Sequence, residues 1–467
     1  MHGKKMRIAA LLSAVMVLAA GCGGTTGENE TDGAEKEGKE TVRIFVPGLS
    51  ERETVDPVSG IHTKSLTDFQ NFLNEKIPDY NIELKTATWN GGWIQTMEAL
   101  VKAGEIDVGF YTNQEAVPDW YLDLTPYLEN DQELNLDNMG EWFIEPAVHY
   151  NYYKSFNHPE ESGKIFGLPI AMASNIITYD SQIFEEWGVD EPTSDMTFAE
   201  LVDLSESVTG MNPVTGEKNY GAYLYPNWME WYSLCYNAVE PFFSDTMNIS
   251  ELDLDRYVES IRTSDELKSF YTDMIRLVDC CNAAVATGSG AEKWLTDYND
   301  IAVNFDCANY TKQYMNYVYA GEEEITERYK PLMIPTGEYG EGFPEFYHFA
   351  ISQKASDADA AWEVVKALTT DKEIIDFYLV NYVSDKLPVL NDTEGISIMD
   401  YELNQERWKY QVDNMFITDD YWHWRSAMQT VDNQILSKQY TADQAVEALY
   451  GGVNSWVSNI KKQQSAN

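Results

Sequence analysis

Short apolar runs alternate with amphipathic segments along this chain. Val42-Arg43-Ile44-Phe45-Val46 reads as a buried strand that stops at Pro47-Gly48. Leu66, Phe69, Phe72 and Leu73 then share one helical face, and Ile82-Glu83-Leu84-Lys85-Thr86 returns as a strand. A second helix carries Met97, Leu100 and Val101, and Ile106-Asp107-Val108-Gly109-Phe110-Tyr111 is a third strand. Strand, helix, strand, helix, strand predicts a doubly wound α/β sheet. Ligands of such sheets sit outside the carboxyl ends of the strands, here Gly48 to Ser50, Trp89 to Trp93 and Tyr111 to Gln114. From Thr41 onward roughly 425 residues remain, more than one core usually organises, so two lobes are expected.

The start of the chain has a different pattern. Lys4, Lys5 and Arg7 precede an apolar run from Ile8 to Ala20 that is too short to span a bilayer. Leu18-Ala19-Ala20-Gly21-Cys22 follows and resembles the lipobox of bacterial lipoproteins, with Ala19 where leucine is commonest. That resemblance implies cleavage before Cys22, a lipid on Cys22, and anchoring at the extracytoplasmic face of the cell membrane. Residues 1–22 are therefore expected to be a signal peptide. Residues 23–40 are almost free of apolar side chains and predict a solvated tether.

Charge and motif content exclude several function classes. The formal net charge is −45, and the signal peptide holds only basic charges, so its removal makes the remainder more negative still. Such a chain repels phosphate backbones, which argues against nucleic-acid partners and fits a solvated, aggregation-resistant surface. Cys280-Cys281 lacks C-x-x-C spacing, and there is no H-E-x-x-H, G-x-S-x-G, Gly-rich phosphate loop or EF-hand loop. No metal or cofactor is expected. A glycosidase using two carboxylates stays open, because 77 acidic residues supply many candidate pairs.

Further along, Gly163-Lys164-Ile165-Phe166-Gly167-Leu168-Pro169 resembles the "GKIYGLP" element of the extracellular solute-binding proteins of ABC importers, in the sugar-binding group that includes maltodextrin-binding proteins. Ile177-Thr178-Tyr179-Asp180, Phe184, Trp187-Gly188-Val189 and Thr197-Phe198-Ala199-Glu200-Leu201 follow in that family's order. Ala360-Ala361-Trp362-Glu363-Val364-Val365-Lys366-Ala367-Leu368-Thr369 is similar to its "AAWEFLKFLTS". Read physically, Thr197 with Glu200 and Ser356 with Asp359 are capping boxes, and Trp362, Val365 and Leu368 share a buried face. The resemblance implies two α/β lobes joined by a hinge with a ligand cleft between them, the periplasmic-binding-protein architecture. By analogy the chain crosses near Ala171 to Asn175, Phe346 to Ile351 and Leu387 to Leu390. The N-terminal lobe then comprises 41–171 and 350–386, and the C-terminal lobe 175–346 and 390–460.

The same resemblance implies a non-enzymatic, monomeric receptor that passes a neutral oligosaccharide to an ABC permease; a surface glycoside hydrolase or polysaccharide-capturing protein is the alternative. Sugars present flat C–H faces edged by hydroxyls, so candidate contacts are aromatic rings beside polar groups. Trp228 falls on the family's stacking tyrosine and Trp231 on a nearby tryptophan, although both also read as core aromatics opening a helix. Asn309 falls on a stacking tryptophan, with Asp306 and Tyr310 beside it. Ser174 follows Ala173, which replaces a ligand-binding carboxylate. Tyr111, Asn113 and Gln114 are the N-terminal lobe's expected contacts, or else strand-end caps. Trp89 and Trp93 offer an extra platform unless Trp93 is core, and Trp424 lies near the family's last aromatic contact.

Overall fold

The computed structural model describes residues 38–56, 60–89, 92–112, 117–153, 159–225, 253–335, 345–414 and 421–466. Residues 39–467 form one unit by their contacts, organised around two sheets and two separate apolar cores. Its strands are β1 Thr41–Phe45, β2 Thr54–Val55, β3 His62–Thr63, β4 Asn81–Lys85, β5 Val108–Tyr111, β6 Leu168–Ala173, β7 Ile176–Asp180, β8 Gly210–Met211, β9 Lys218–Tyr223, β10 Ile301–Asn304, β11 Tyr329–Met333, β12 Phe346–Ile351 and β13 Lys386–Pro388. The helices that matter below are α1 Leu66–Lys76, α2 Trp93–Ala103, α3 Phe198–Ser207, α4 Asp265–Asp279, α5 Cys307–Ala320, α6 Ala358–Thr370, α7 Lys372–Tyr382, α8 Glu402–Asn414, α9 Tyr421–Leu436 and α10 Ala442–Ala466. Among the described residues no helix is long and apolar enough to cross a membrane.

The first sheet runs β13-β6-β12-β5-β1-β4. β1 pairs in parallel with β4 and β5, as the alternation of strands and helices predicts. The sheet is nevertheless mixed, because β12 enters antiparallel between β5 and β6. β4 is an edge, and α1 covers its open side: Asn74 Oδ1 accepts from Ile82 N and Gln70 Oε1 from Leu84 N, each at 2.9 Å. That is a local answer to the unpaired amides of an edge strand. Ser65 starts α1 with a full capping box to Asp68, and Phe69 and Leu73 face the core.

The second sheet runs β11-β7-β10-β9-β8. Thr197 and Glu200 form the expected capping box at the start of α3. Ser356 does not form its own. Its N and Oγ instead bind Asp107 Oδ1 at 2.8 and 2.9 Å, because that buried carboxylate has acceptor sites to fill, and Asp357 caps α6 by accepting from Asp359 N and Ala360 N. Trp362, Val365 and Leu368 are buried on the same helix, as expected. Cys280 and Cys281 are free thiols in the second core.

The chain changes sheet twice by strand: from β6 through Ser174 and Asn175 into β7, and from β11 into β12. The third change comes later than the expected Leu387 to Leu390. Leu387, Leu390, Ile396, Ile398 and Met399 still belong to the first core, whereas α9 and α10 belong to the second. The helix between them, α8, touches both: Leu403 and Tyr410 pack on the second core, Trp408 and Val412 on the first.

Candidate functional site

β6 runs straight into β7, so the carboxyl edge of the first sheet meets the start of β7. β10 is antiparallel to β7 and β9 is parallel to β10, which brings the carboxyl ends of β9 and β10 to that same junction. Carboxyl ends of strands from both sheets therefore converge at Ser174–Asn175, the place where open α/β sheets bind ligands.

On the first-sheet side the prominent group is Trp89, 38% exposed and just beyond β4. Its indole lies on the backbone of Gly48, where φ is +82° and an added Cβ would come within 1.9 Å of Trp89 Nε1. Glycine is needed there for the close approach as well as for the left-handed backbone. The Trp89 ring is 5.5 Å from that of Tyr347 on β12, centroid to centroid, and 5.6 Å edge-on from Trp93. Lys386 Nζ reaches over Tyr347, 5.7 Å from its centroid, and pairs with Asp385 at 2.8 Å. Burial pushes the Asp385 carboxyl up, but the charges of Lys386 and Lys312 outweigh it and hold the group below the usual carboxylate range. Burial likewise opposes charge on Lys386, and Asp385 and Glu345 overcome it. Each favours the charged form of the other, so the Lys386 ammonium beside the aromatic face is paired with a carboxylate.

On the second-sheet side stand Tyr223 and Tyr225 at the end of β9 and Asn304 to Asp306 at the end of β10. Tyr310 meets Tyr223 edge-on at 6.5 Å and donates to Ala291 O at 3.3 Å. Burial first, then Asp306 and Glu292, push the Tyr310 hydroxyl up to about 12, so it remains a neutral donor and acceptor. Asp306 is buried; its N donates to Asn304 Oδ1 at 2.9 Å and its O receives Tyr310 N at 3.2 Å in the first turn of α5.

Of the expected contacts, the structure brings Trp89 to the first edge and Asp306 and Tyr310 to the second. Three others are buried against their neighbours. Trp93 opens α2 with only 8% of its surface exposed, because its ring fills the space against Phe110. Tyr111 is 3% exposed and lies flat on His348, centroids 4.5 Å apart at 2°. Burial pushes that imidazole down to about 3, so the stack is neutral, and Gly167 presses so close that a Cβ there would sit 2.7 Å from Tyr111 Cε1. Ser174 is buried and engaged, donating from Oγ to Arg407 O at 3.3 Å. Asn309 and Trp424 lie in α5 and α9, but their side chains fall outside the described residues, as do Asn113, Gln114, Trp228, Trp231 and Cys22 entirely. Sequence reasoning singled out none of Lys386, Arg407 and Tyr347 as a site residue.

Two sheets whose carboxyl edges meet at a chain crossing, with rings on either side, define a two-lobed ligand-binding protein. The profile of the bacterial extracellular solute-binding proteins matches residues 63–374, and the chain belongs to that family. The fold is that of the sugar-binding protein MalE from Xanthomonas citri, with a TM-score of 0.68 at 14% identity over 91% of this chain and 100% of that one. An ABC substrate-binding protein from Listeria monocytogenes, solved with cycloalternan, gives a TM-score of 0.64 at 15% identity over 90% and 99% of the two chains. The GacH receptor of Streptomyces glaucescens, studied unliganded and with acarbose, gives 0.59 at 14% identity over 90% and 99%. No curated protein matches by sequence.

Proposed function

We propose that this protein is the receptor of an ABC importer for a neutral carbohydrate, an oligosaccharide, which it captures between its lobes and delivers to the permease unchanged. The observation that carries the reading is the exposed Trp89 indole propped on Gly48 beside Tyr347, at the carboxyl edge of the first sheet. A ring face of this kind suits the C–H face of a sugar, and the pairing of Lys386 with Asp385 suits an uncharged one. Oligosaccharide-type ligands of the structural neighbours are in keeping with it. Trp228 and Trp231 are proposed as further platforms, with Asn113, Gln114, Asn309 and Trp424 as further contacts.

The lobes in this reading are 41–173 with 346–399, and 176–334 with the helices after α8; the protein acts as a monomer. Binding is tested by thermal shift against a panel of oligosaccharides. A ligand at 100 times its Kd adds ~2.7 kcal/mol of stability, and a flat response across neutral sugars together with a shift by another solute class would remove the carbohydrate reading.

The lipid anchor belongs to the same proposal. Cys22→Ala is expected to move the protein from the membrane fraction to the medium while leaving ligand affinity unchanged, since residues 23–40 hold no core-forming side chains. Retention of that variant in membranes would count against Cys22 as the anchor.

A further inference from the structure

Among the described residues, helix α8 holds both strand connections between the two sheets. Arg407, fully buried, donates from Nε to Ser174 O at 3.1 Å and from Nη2 to both Ser174 O and Asp385 O, the latter at 2.6 Å. Its Nη1 donates to Asn404 Oδ1 at 2.7 Å. The next residue, Trp408, donates from Nε1 to Pro388 O at 3.0 Å, and about one turn on from Arg407 the Tyr410 hydroxyl donates to Ile334 O. Asn404 Nδ2 donates to the Tyr319 hydroxyl at 2.9 Å, and that hydroxyl donates to Ser384 O at 2.7 Å. Ser174 joins β6 to β7, Ile334 leaves β11 for β12, and Ser384 to Pro388 carry β13. Both strand connections between the two sheets thus give a main-chain carbonyl to a side chain of one helix, as β13 of the first sheet also does, and that helix packs on both cores.

Among the described residues no carboxylate forms an ion pair with Arg407. A guanidinium is costly to bury, and here its fork of donors is spent on carbonyls from two separate segments, which a lysine's single ammonium could not span in one plane. The helix side chains are therefore arranged to fix the connections relative to one another.

We infer that α8 is the strap that sets how far the two halves open, with Arg407 as its pin, so that residues outside the ligand cleft control ligand affinity. This rests on the reading that the halves close on a solute. Closure turns the halves about α8 and keeps these bonds, because breaking them would strand a buried charge; the bending falls on backbone that the strap does not hold, such as Asn175. Arg407, Trp408 and Tyr410 are positioning residues. Loss of their bonds widens the range of open arrangements, and a receptor that populates its binding-competent arrangement less often binds more weakly by that fraction.

The test uses the full chain carrying Trp408→Phe with Tyr410→Phe, which keeps an aromatic ring at each position and removes the two donors together with part of the indole, and separately Arg407→Lys. Small-angle scattering without ligand, hydrogen exchange at residues 174–176 and 384–387, and calorimetric affinity for the oligosaccharide that the thermal screen selects are compared with the native chain. The double variant is expected to show a larger unliganded radius of gyration, faster exchange at those amides, and about tenfold weaker binding with an unchanged scattering profile at saturation. Arg407→Lys should show the same changes at least as strongly. Unchanged scattering and exchange in a folded double variant would overturn the strap. Altered scattering and exchange in a protein that binds no oligosaccharide would leave the strap standing and defeat the carbohydrate reading instead.

Discussion

Trp89→Ala is expected to weaken ligand binding about thirtyfold, the equivalent of ~2 kcal/mol, while the melting temperature stays close to that of the native chain. A ring more than a third exposed contributes little to the core, so the two measurements separate a platform from a packing residue. Gly48→Ala provides an independent route to the same end. Its new methyl would occupy the space of the indole Nε1, which displaces the ring without deleting it, and the left-handed backbone there adds strain of ~1 kcal/mol. Calorimetric titration and thermal melting of both variants form the test. Native affinity in Trp89→Ala, with a lowered melting temperature, would assign Trp89 to packing.

The largest effect on stability is expected at Asp107. This carboxylate, 1% exposed, accepts from Arg43 N, Nε and Nη2 and from Ser356 N and Oγ, all between 2.8 and 2.9 Å. It ties the start of β1 to the stretch before α6. Asp107→Ala leaves the Arg43 fork without its partner and should lower the unfolding free energy by ~3 kcal/mol, near the low end for a broken buried pair because the arginine is partly solvated. Burial pushes the Asp107 carboxyl up, yet the donors from Arg43 and Ser356 prevail and hold it below the usual range. Its contribution is thus fully present above the unfolded value of ~3.9 and fades as the pH falls through the lower folded value. Urea midpoints at neutral pH and below pH ~4 should show the gap between native and Asp107→Ala narrowing in acid. A gap independent of pH would mean that the loss comes from packing alone.

The parts of this architecture that announce themselves in sequence are those whose cause is local. β1, β4 and β5 are legible because their apolar runs alternate with helices of clear period, and Thr197 with Glu200 caps a helix through residues three apart. Position 356 shows where local reasoning stops. Ser356 carries a capping signature, but Asp107, remote in sequence, claims its donors, and the cap passes to Asp357. The same holds for the site. Trp89 and Trp93 flank Asn90-Gly91-Gly92 and both rings meet Phe110 edge-on, yet the missing side chain at Gly48 leaves room for the Trp89 indole at the surface whereas Trp93 is buried at the start of α2. Lys386 reads as a solvated charge in Ser384-Asp385-Lys386. Its burial over Tyr347 depends on β13 pairing with β6, a contact between segments some two hundred residues apart that no periodicity encodes.

The insertion of β12 between β5 and β6 bears on how the chain must be made. Until Phe346 to Ile351 are present, β5 and β6 have no strand between them, and each keeps an open edge able to pair with another chain. The first half, although synthesised first, cannot complete its sheet before the second half has been made, so its closure is a late, long-range event with a slow folding step. That delay is a hazard for a chain left to itself, and an interval in which a chaperone or a translocation channel can keep the polypeptide extended.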